Sequence, residues 1–193
     1  MKTKPAHRAV IILFALLLAA TGATAGPNDG TSQVERGKWL VNLGGCHDCH
    51  SPKTNSPAGP VPDETRLLSG APAHTTVPEI PKGMASMDPQ RWGVLSNLDL
   101  TAWAGPWGVS FPANLTPDVE TGLGSWTEEM FMKAIRTGKH MGEGRPILPP
   151  MPWQNFALLE DENLKAIFAY LRSIPAISNV VPEPMPPQET SAQ

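Results

Sequence analysis

The sequence predicts a mainly α-helical domain of about three core helices, interrupted by a long proline-rich loop insert. Three observations lead there. Apolar residues recur at helical spacing towards both ends of the 193-residue chain. No run alternates convincingly at period two, so no strand is expected. Ten prolines fall between residues 51 and 112, where each removes a backbone donor and restricts φ.

The elements follow in order. Lys2, Lys4 and Arg8 precede an unbroken apolar run, Ala9 to Ala20, and Ala23-Thr24-Ala25 places small residues where a signal peptidase cuts. An export signal over 1–25 is expected, with a retained N-terminal anchor as the alternative. Without those three cations, 12 Lys and Arg face 18 Asp and Glu, a net charge of −6. No basic stripe remains to attract nucleic acid. One domain is expected over 26–181, followed by a flexible tail, 182–193, with the composition PEPMPPQETSAQ.

The first helix should start near Ser32, where Ser32 and Glu35 form a capping-box pattern. Val34, Gly37 and Val41 share one face, and Gly44-Gly45 stops it. The insert, about 51–112, holds Trp92, Trp103 and Trp107. These large aromatic residues argue for an ordered wrap-around segment. The second helix is expected over 127–137, with a second capping-box pattern at Ser125 and Glu128 and a stop at Gly138. The third is expected over 161–173. It carries Leu164, Ile167, Phe168 and Leu171 on one face, acidic residues first, Arg172 last and Pro175 beyond.

Both cysteines of the chain lie in GGCHDCHSP, as Cys46-His47-Asp48-Cys49-His50. This C-x-x-C-H spacing reads as attachment of a c-type haem. Two thiols one helical turn apart reach the two vinyl groups on one edge of the macrocycle, and the histidine that follows falls beneath the iron. The competing readings are weaker. A redox dithiol normally lies beside a βαβ pattern, and none is present. A structural zinc site wants four N or S ligands, and no second cluster exists. A disulfide across so short a loop gains little loop-closure stabilisation.

His50 supplies one axial ligand, and the group on the opposite side separates a carrier from a haem enzyme with an open position. Met151 is the first candidate. It lies in Leu148-Pro149-Pro150-Met151-Pro152-Trp153, where flanking prolines restrict the backbone and reduce the entropy lost on fixing the thioether. Simple gap-filling is its plain alternative, and Met141 is the second candidate ligand. Met84 and Met87 lie in the insert, and Met130 and Met132 read as core of the second helix. His74, His140 and His47 read as surface or loop residues. Arg145 and Trp153 flank the Met151 segment and carry donors suited to haem propionates. Asp118 and Glu120 read as a solvated turn rather than a cation site.

The order helix, C-x-x-C-H, loop, helix, Pro-x-Met segment, C-terminal helix resembles a class I cytochrome c. The stretches TAWAGPWGVSFPANLTPD, TGLGSWTEEMFMKAIRTGKH, GRPILPPMPW and DENLKAIFAYLRSIP resemble cytochrome subunits and partners of exported dehydrogenases for alcohols, aldehydes and N-heterocycles. The resemblance covers roughly 34–182. It implies a class I cytochrome c-like fold around one covalent haem c, with Cys46 and Cys49 as thioether attachments, His50 proximal and Met151 distal. It also implies a close crossing of the first and last helices where Gly37 meets Tyr170. The expected function is electron transfer in the periplasm, from a dehydrogenase donor to a cytochrome or terminal oxidase. Membrane association would come only through a retained signal or a partner. The chain departs from many such relatives in having a single C-x-x-C-H, so an internal haem-to-haem wire is excluded and a single-haem carrier is expected. A peroxidase-like haem enzyme is the alternative.

Overall fold

The computed structural model describes residues 30–80, 88, 90 and 92–187. The expected signal, Met84, Met87 and the last six residues lie outside them. The chain runs as helix α1 (Gly30–Leu43), the short helix α2 (Cys46–His50), hairpin strands β1 (Lys53–Ser56) and β2 (Gly59–Pro62), and strands β3 (Leu95–Ser96), β4 (Trp103–Gly105) and β5 (Gly108–Ser110). Helix α3 (Glu128–Thr137), a 3₁₀ turn (His140–Gly142), helix α4 (Trp153–Phe156) and helix α5 (Asp161–Ser173) follow.

Helices α1 and α5 cross closely, and one glycine sets the distance. A Cβ built on Gly37 would lie 1.9 Å from the Ala166 carbonyl oxygen and 2.8 Å from Tyr170 Cβ. Only a residue without a side chain lets the two backbones meet there. On either side of the crossing, Leu40 and Val41 of α1 pack with Leu164, Ala166, Ile167, Phe168 and Leu171 of α5. Helix α3 adds Phe131 and Ile135, and the Phe131 and Phe168 rings stack at 5.2 Å. Leu68 and Leu123 complete the core from loops.

The three expected helices are present, but their caps differ from the expected ones. Helix α1 begins at Gly30, so Ser32 lies within its first turn instead of capping it. Thr127 caps α3, its hydroxyl accepting from Met130 N at 3.2 Å. Ser125 lies two residues before that cap, in a turn closed by Trp126 N on Leu123 O at 3.1 Å. Gly138 ends α3 in the left-handed conformation, φ 65°, as expected. Met130 is exposed, so the core face of α3 is Phe131, Ala134 and Ile135. Arg172 reaches across to the carbonyls of Leu123 and Gly124, at 2.9 and 2.6 Å, tying α5 to the loop before α3.

The expectation of no strands is corrected. The insert holds an antiparallel hairpin, β1–β2, and a three-stranded antiparallel sheet in the order β3–β4–β5. Strands of two to four residues are too short for an alternation to register in the sequence. Pro60 and Pro62 are accommodated because β2 pairs on one edge only. Ala102, Ala104 and Val109 form a small second core with Val77, Ile80, Leu95 and Phe111. Part of the segment expected as a free tail is also paired: Met185 and Val109 exchange two backbone hydrogen bonds at 2.9 Å.

Buried amides fasten the loops to the helical frame. Asn179 donates to the carbonyls of Ser69 and Ala71, at 2.7 and 2.8 Å, and its own carbonyl accepts from Ala73 N and Arg66. Asn114 donates to Thr121 Oγ1 and Ile177 O and accepts from Thr116 N and Oγ1. Each replaces water for backbone groups that no regular element satisfies.

Gly37→Ala is expected to destabilise the fold by roughly 2–3 kcal/mol, since overpacking at a backbone contact cannot be relieved by a rotamer change. Chemical denaturation measures this. An unchanged midpoint would show that the crossing is not tight.

Candidate haem-attachment site

Gly45, at φ 64°, reverses the chain directly from α1 into α2. Helix α2 is one turn and a half, which places Cys46 and Cys49 on successive turns with His50 immediately after. Lys53 closes its end. The ammonium donates to the carbonyls of His47, Asp48 and Ser51 at 2.9, 2.8 and 2.7 Å, using all three of its protons. Ser51 is fully buried; its hydroxyl lies 3.0 Å from His47 Nδ1 and accepts from Leu68 N at 2.9 Å.

The cysteines are half-buried and not joined in a disulfide. Burial against the core pushes the Cys46 thiol up to about 11, and burial also raises Cys49. A thiol–disulfide oxidoreductase needs a thiolate near neutral pH, so this pair is not poised for that chemistry. Trp103, from β4 of the insert, is a neighbour of Cys49, and its indole N–H donates to Leu100 O at 2.8 Å.

His50 is held at both ends. Its Nδ1 lies 2.8 Å from Ala113 O. A carbonyl can only accept, so Nδ1 carries the proton and Nε2 keeps a lone pair for a metal. Burial lowers the basicity of the ring, which favours the neutral form that ligation requires. The His50 carbonyl accepts from Gly70 N at 2.8 Å. Segments 68–71 and 112–115 are joined in turn, by Ala71 N to Pro112 O at 2.9 Å and Leu115 N to Leu68 O at 2.8 Å. Gly70 has φ 80°, and a Cβ there would sit 2.6 Å from the Ala113 carbonyl carbon. The donor set fits a c-type haem: two thiols a turn apart, then a neutral imidazole whose tautomer is set by a backbone carbonyl.

The other sequence candidates divide. Met151 is half-buried, and its segment is anchored by Ser110, whose hydroxyl donates to Pro149 O at 2.6 Å. Met141 is 38% exposed with φ 53°, in the 3₁₀ turn. Trp153 opens α4 and packs its ring over Gly138, where a Cβ would lie 2.3 Å from the indole. Arg145 is exposed and bonds only weakly to its neighbour Pro146 O, at 3.4 Å. His74 is exposed, and the His140 ring meets Trp126 edge-on at 5.1 Å. Asp118 accepts from Thr121 N and Oγ1 at 2.8 and 2.6 Å, which is a closed turn. Among the described residues no group of three His, Cys, Asp or Glu side chains converges. Sequence reasoning missed Ala113, Ser51, Lys53 and Gly70. A carbonyl leaves no trace in residue type, and only the prolines and asparagine of SFPANLTP hinted that this segment is built for a purpose.

Comparison with known proteins finds cytochrome subunits of dehydrogenases. No family model matches the chain. The alcohol dehydrogenase (quinone) cytochrome c subunit of Gluconobacter oxydans is 40% identical over 155 residues, 80% of this chain and 24% of the relative. The gluconate 2-dehydrogenase cytochrome c subunit of Pantoea cypripedii is 28% identical over 160 residues, 82% of this chain and 27% of the relative. The fructose dehydrogenase cytochrome subunit of Gluconobacter japonicus is 27% identical over 162 residues, 81% of this chain and 25% of the relative. The chain is thus similar to cytochrome c subunits of dehydrogenases, in line with the resemblance its motifs carry. It spans about a quarter of the length of the cytochrome subunits it matches. Those relatives are named as cytochrome subunits of dehydrogenases. Among the described residues no helix is long and apolar enough to cross a membrane.

Gly70→Ala is expected to cost roughly 2–3 kcal/mol, because it combines a left-handed φ with a clash at Ala113. Denaturation midpoints measure the loss; a neutral result would show that segment 112–114 yields freely.

Proposed function

We propose that the chain is an exported single-haem electron carrier that serves a dehydrogenase. The observation that carries this reading is the 2.8 Å contact of His50 Nδ1 with Ala113 O, directly after the two thiols of C-x-x-C-H. Cys46 and Cys49 would hold one haem c by thioether bonds, His50 would be proximal and Met151 distal. The haem supplies the one-electron chemistry. The protein fixes the imidazole on the Ala113 carbonyl, and burial disfavours its protonated form. A thioether opposite the imidazole would favour the reduced iron and raise the potential. Arg145 and Trp153, on either side of the methionine segment, are the donors assigned to the propionates. Residues 1–25 are assigned as the export signal, and the periplasm as the compartment. The electron donor is assigned as a dehydrogenase, since the relatives are subunits of such complexes. The acceptor would be a downstream cytochrome or oxidase.

Expression in a periplasm that matures c-type haem is expected to yield one covalent haem on the peptide containing Cys46 and Cys49, seen by mass spectrometry. The ferric protein is expected to be low-spin with a methionine–iron charge-transfer band that Met151→Ala abolishes. High-spin wild-type protein that binds cyanide rapidly would instead support the peroxidase-like reading. Capture of the mature protein with its partners should recover a dehydrogenase, and recovery of an oxidase alone would redirect the donor assignment.

A further inference from the structure

The Met151 segment is poor in backbone donors. Pro149, Pro150 and Pro152 have no N–H, so Leu148 to Pro152 cannot be held by a hydrogen-bonded ladder. The last backbone anchor before it is Ile147 N to Gly138 O at 2.7 Å, and the next bond after it is the local turn Asn155 N to Pro152 O at 3.0 Å. Among the described residues, one hydrogen bond joins the intervening segment to another part of the chain. It comes from Ser110, at the end of β5, whose hydroxyl donates to Pro149 O at 2.6 Å.

Ser110 is 7% exposed, and its single proton has two carbonyls in view. Trp103 O lies at 3.5 Å and Pro149 O at 2.6 Å, so the proton goes to Pro149. The indole N–H of Trp107 approaches the same hydroxyl oxygen from 3.3 Å and takes up one lone pair, which leaves the hydroxyl proton directed away from it. Three residues beyond Ser110, Ala113 O receives the proton of His50 Nδ1. Three residues of extended chain reach at most about 10 Å. The same short strap therefore touches the proximal histidine at one end and the methionine segment at the other, and Ala71 N to Pro112 O pins its middle.

We propose that Ser110 is a positioning residue for Met151, with Trp107 orienting its hydroxyl, so that the insert holds the distal segment in register with His50. The proposal rests on the reading of Met151 as the distal ligand. Truncating the hydroxyl leaves Pro149 O without its donor and frees a segment that has few others. The thioether then competes less well with an added ligand for the iron.

The test uses the full-length holoprotein and imidazole as the competing ligand. Ser110→Ala is expected to raise the apparent affinity for imidazole about tenfold, the scale of one lost buried hydrogen bond. It is also expected to lower the pH at which the methionine–iron band is lost. Ser110→Thr, which retains the hydroxyl, should restore wild-type behaviour, and Trp107→Phe should shift both readouts in the same direction by less. If Ser110→Ala does not fold, Ser110→Cys, with its weaker donor, decides the question in the same assays. Reduced global stability with unchanged imidazole affinity would make Ser110 a structural residue only and overturn the proposal. Met151→Ala separates the two readings. If that variant keeps the band, the distal assignment fails. If it loses the band while Ser110→Ala matches wild type, the positioning role alone fails.

Discussion

The hydrogen bond from His50 Nδ1 to Ala113 O joins residues 63 apart in sequence, and the arrangement of the molecule around the motif depends on it. A C-x-x-C-H turn by itself leaves the imidazole free to rotate and to take either tautomer. The carbonyl removes both freedoms, because it accepts one proton from one direction. For that carbonyl to be in place, segment 112–115 must lie against 68–71, and Gly70 must be a residue with no Cβ. For 68–71 to be in place, its peptide groups need partners in a region with no long ladder, and Asn179 and Ser51 provide them. A chain of polar contacts thus runs from the segment after α5 to the nitrogen of one imidazole.

The insert takes on a different character in this light. Its ten prolines and short strands suggest a decoration on a helical domain. In the fold it places Trp103 beside Cys49 and Ser110 beside the methionine segment, and the chain leaving it brings Ala113 beside His50. Short antiparallel strands suit that task. Each holds a few side chains rigidly with little length, and the sheet is braced on its far edge by Met185. Preorganisation of this kind comes from rigid supporting elements around the ligating groups, not from those groups themselves.

The two parts of the domain have separate duties. The Gly37 crossing and the apolar faces of α1, α3 and α5 supply most of the hydrophobic stabilisation, with little reference to the site. The loops between them contribute few apolar side chains but almost all the specific hydrogen bonds that orient candidate ligands. This is the usual division between a scaffold that packs and loops that carry chemistry. It is consistent with sequence similarity to subunits of dehydrogenases named for several different substrates.

Local features were legible from residue types. The close contact at Gly37 came only from the resemblance to a known family, whereas the C-x-x-C-H spacing pointed to haem attachment, and Gly138 and Pro175 announced their stops through backbone preference. These signals are short-range, so one sequence carries them complete. The strands of the insert were not legible, being shorter than any period needs to show itself. The cap of α3 was displaced because turns and chain direction, not pattern alone, decide which hydroxyl meets the first free N–H. Tertiary structure alone decided which carbonyl receives the proton of His50 and which hydroxyl reaches Pro149. Every residue carries the same backbone acceptor, so the choice of Ala113 among them exists only once the chain has folded.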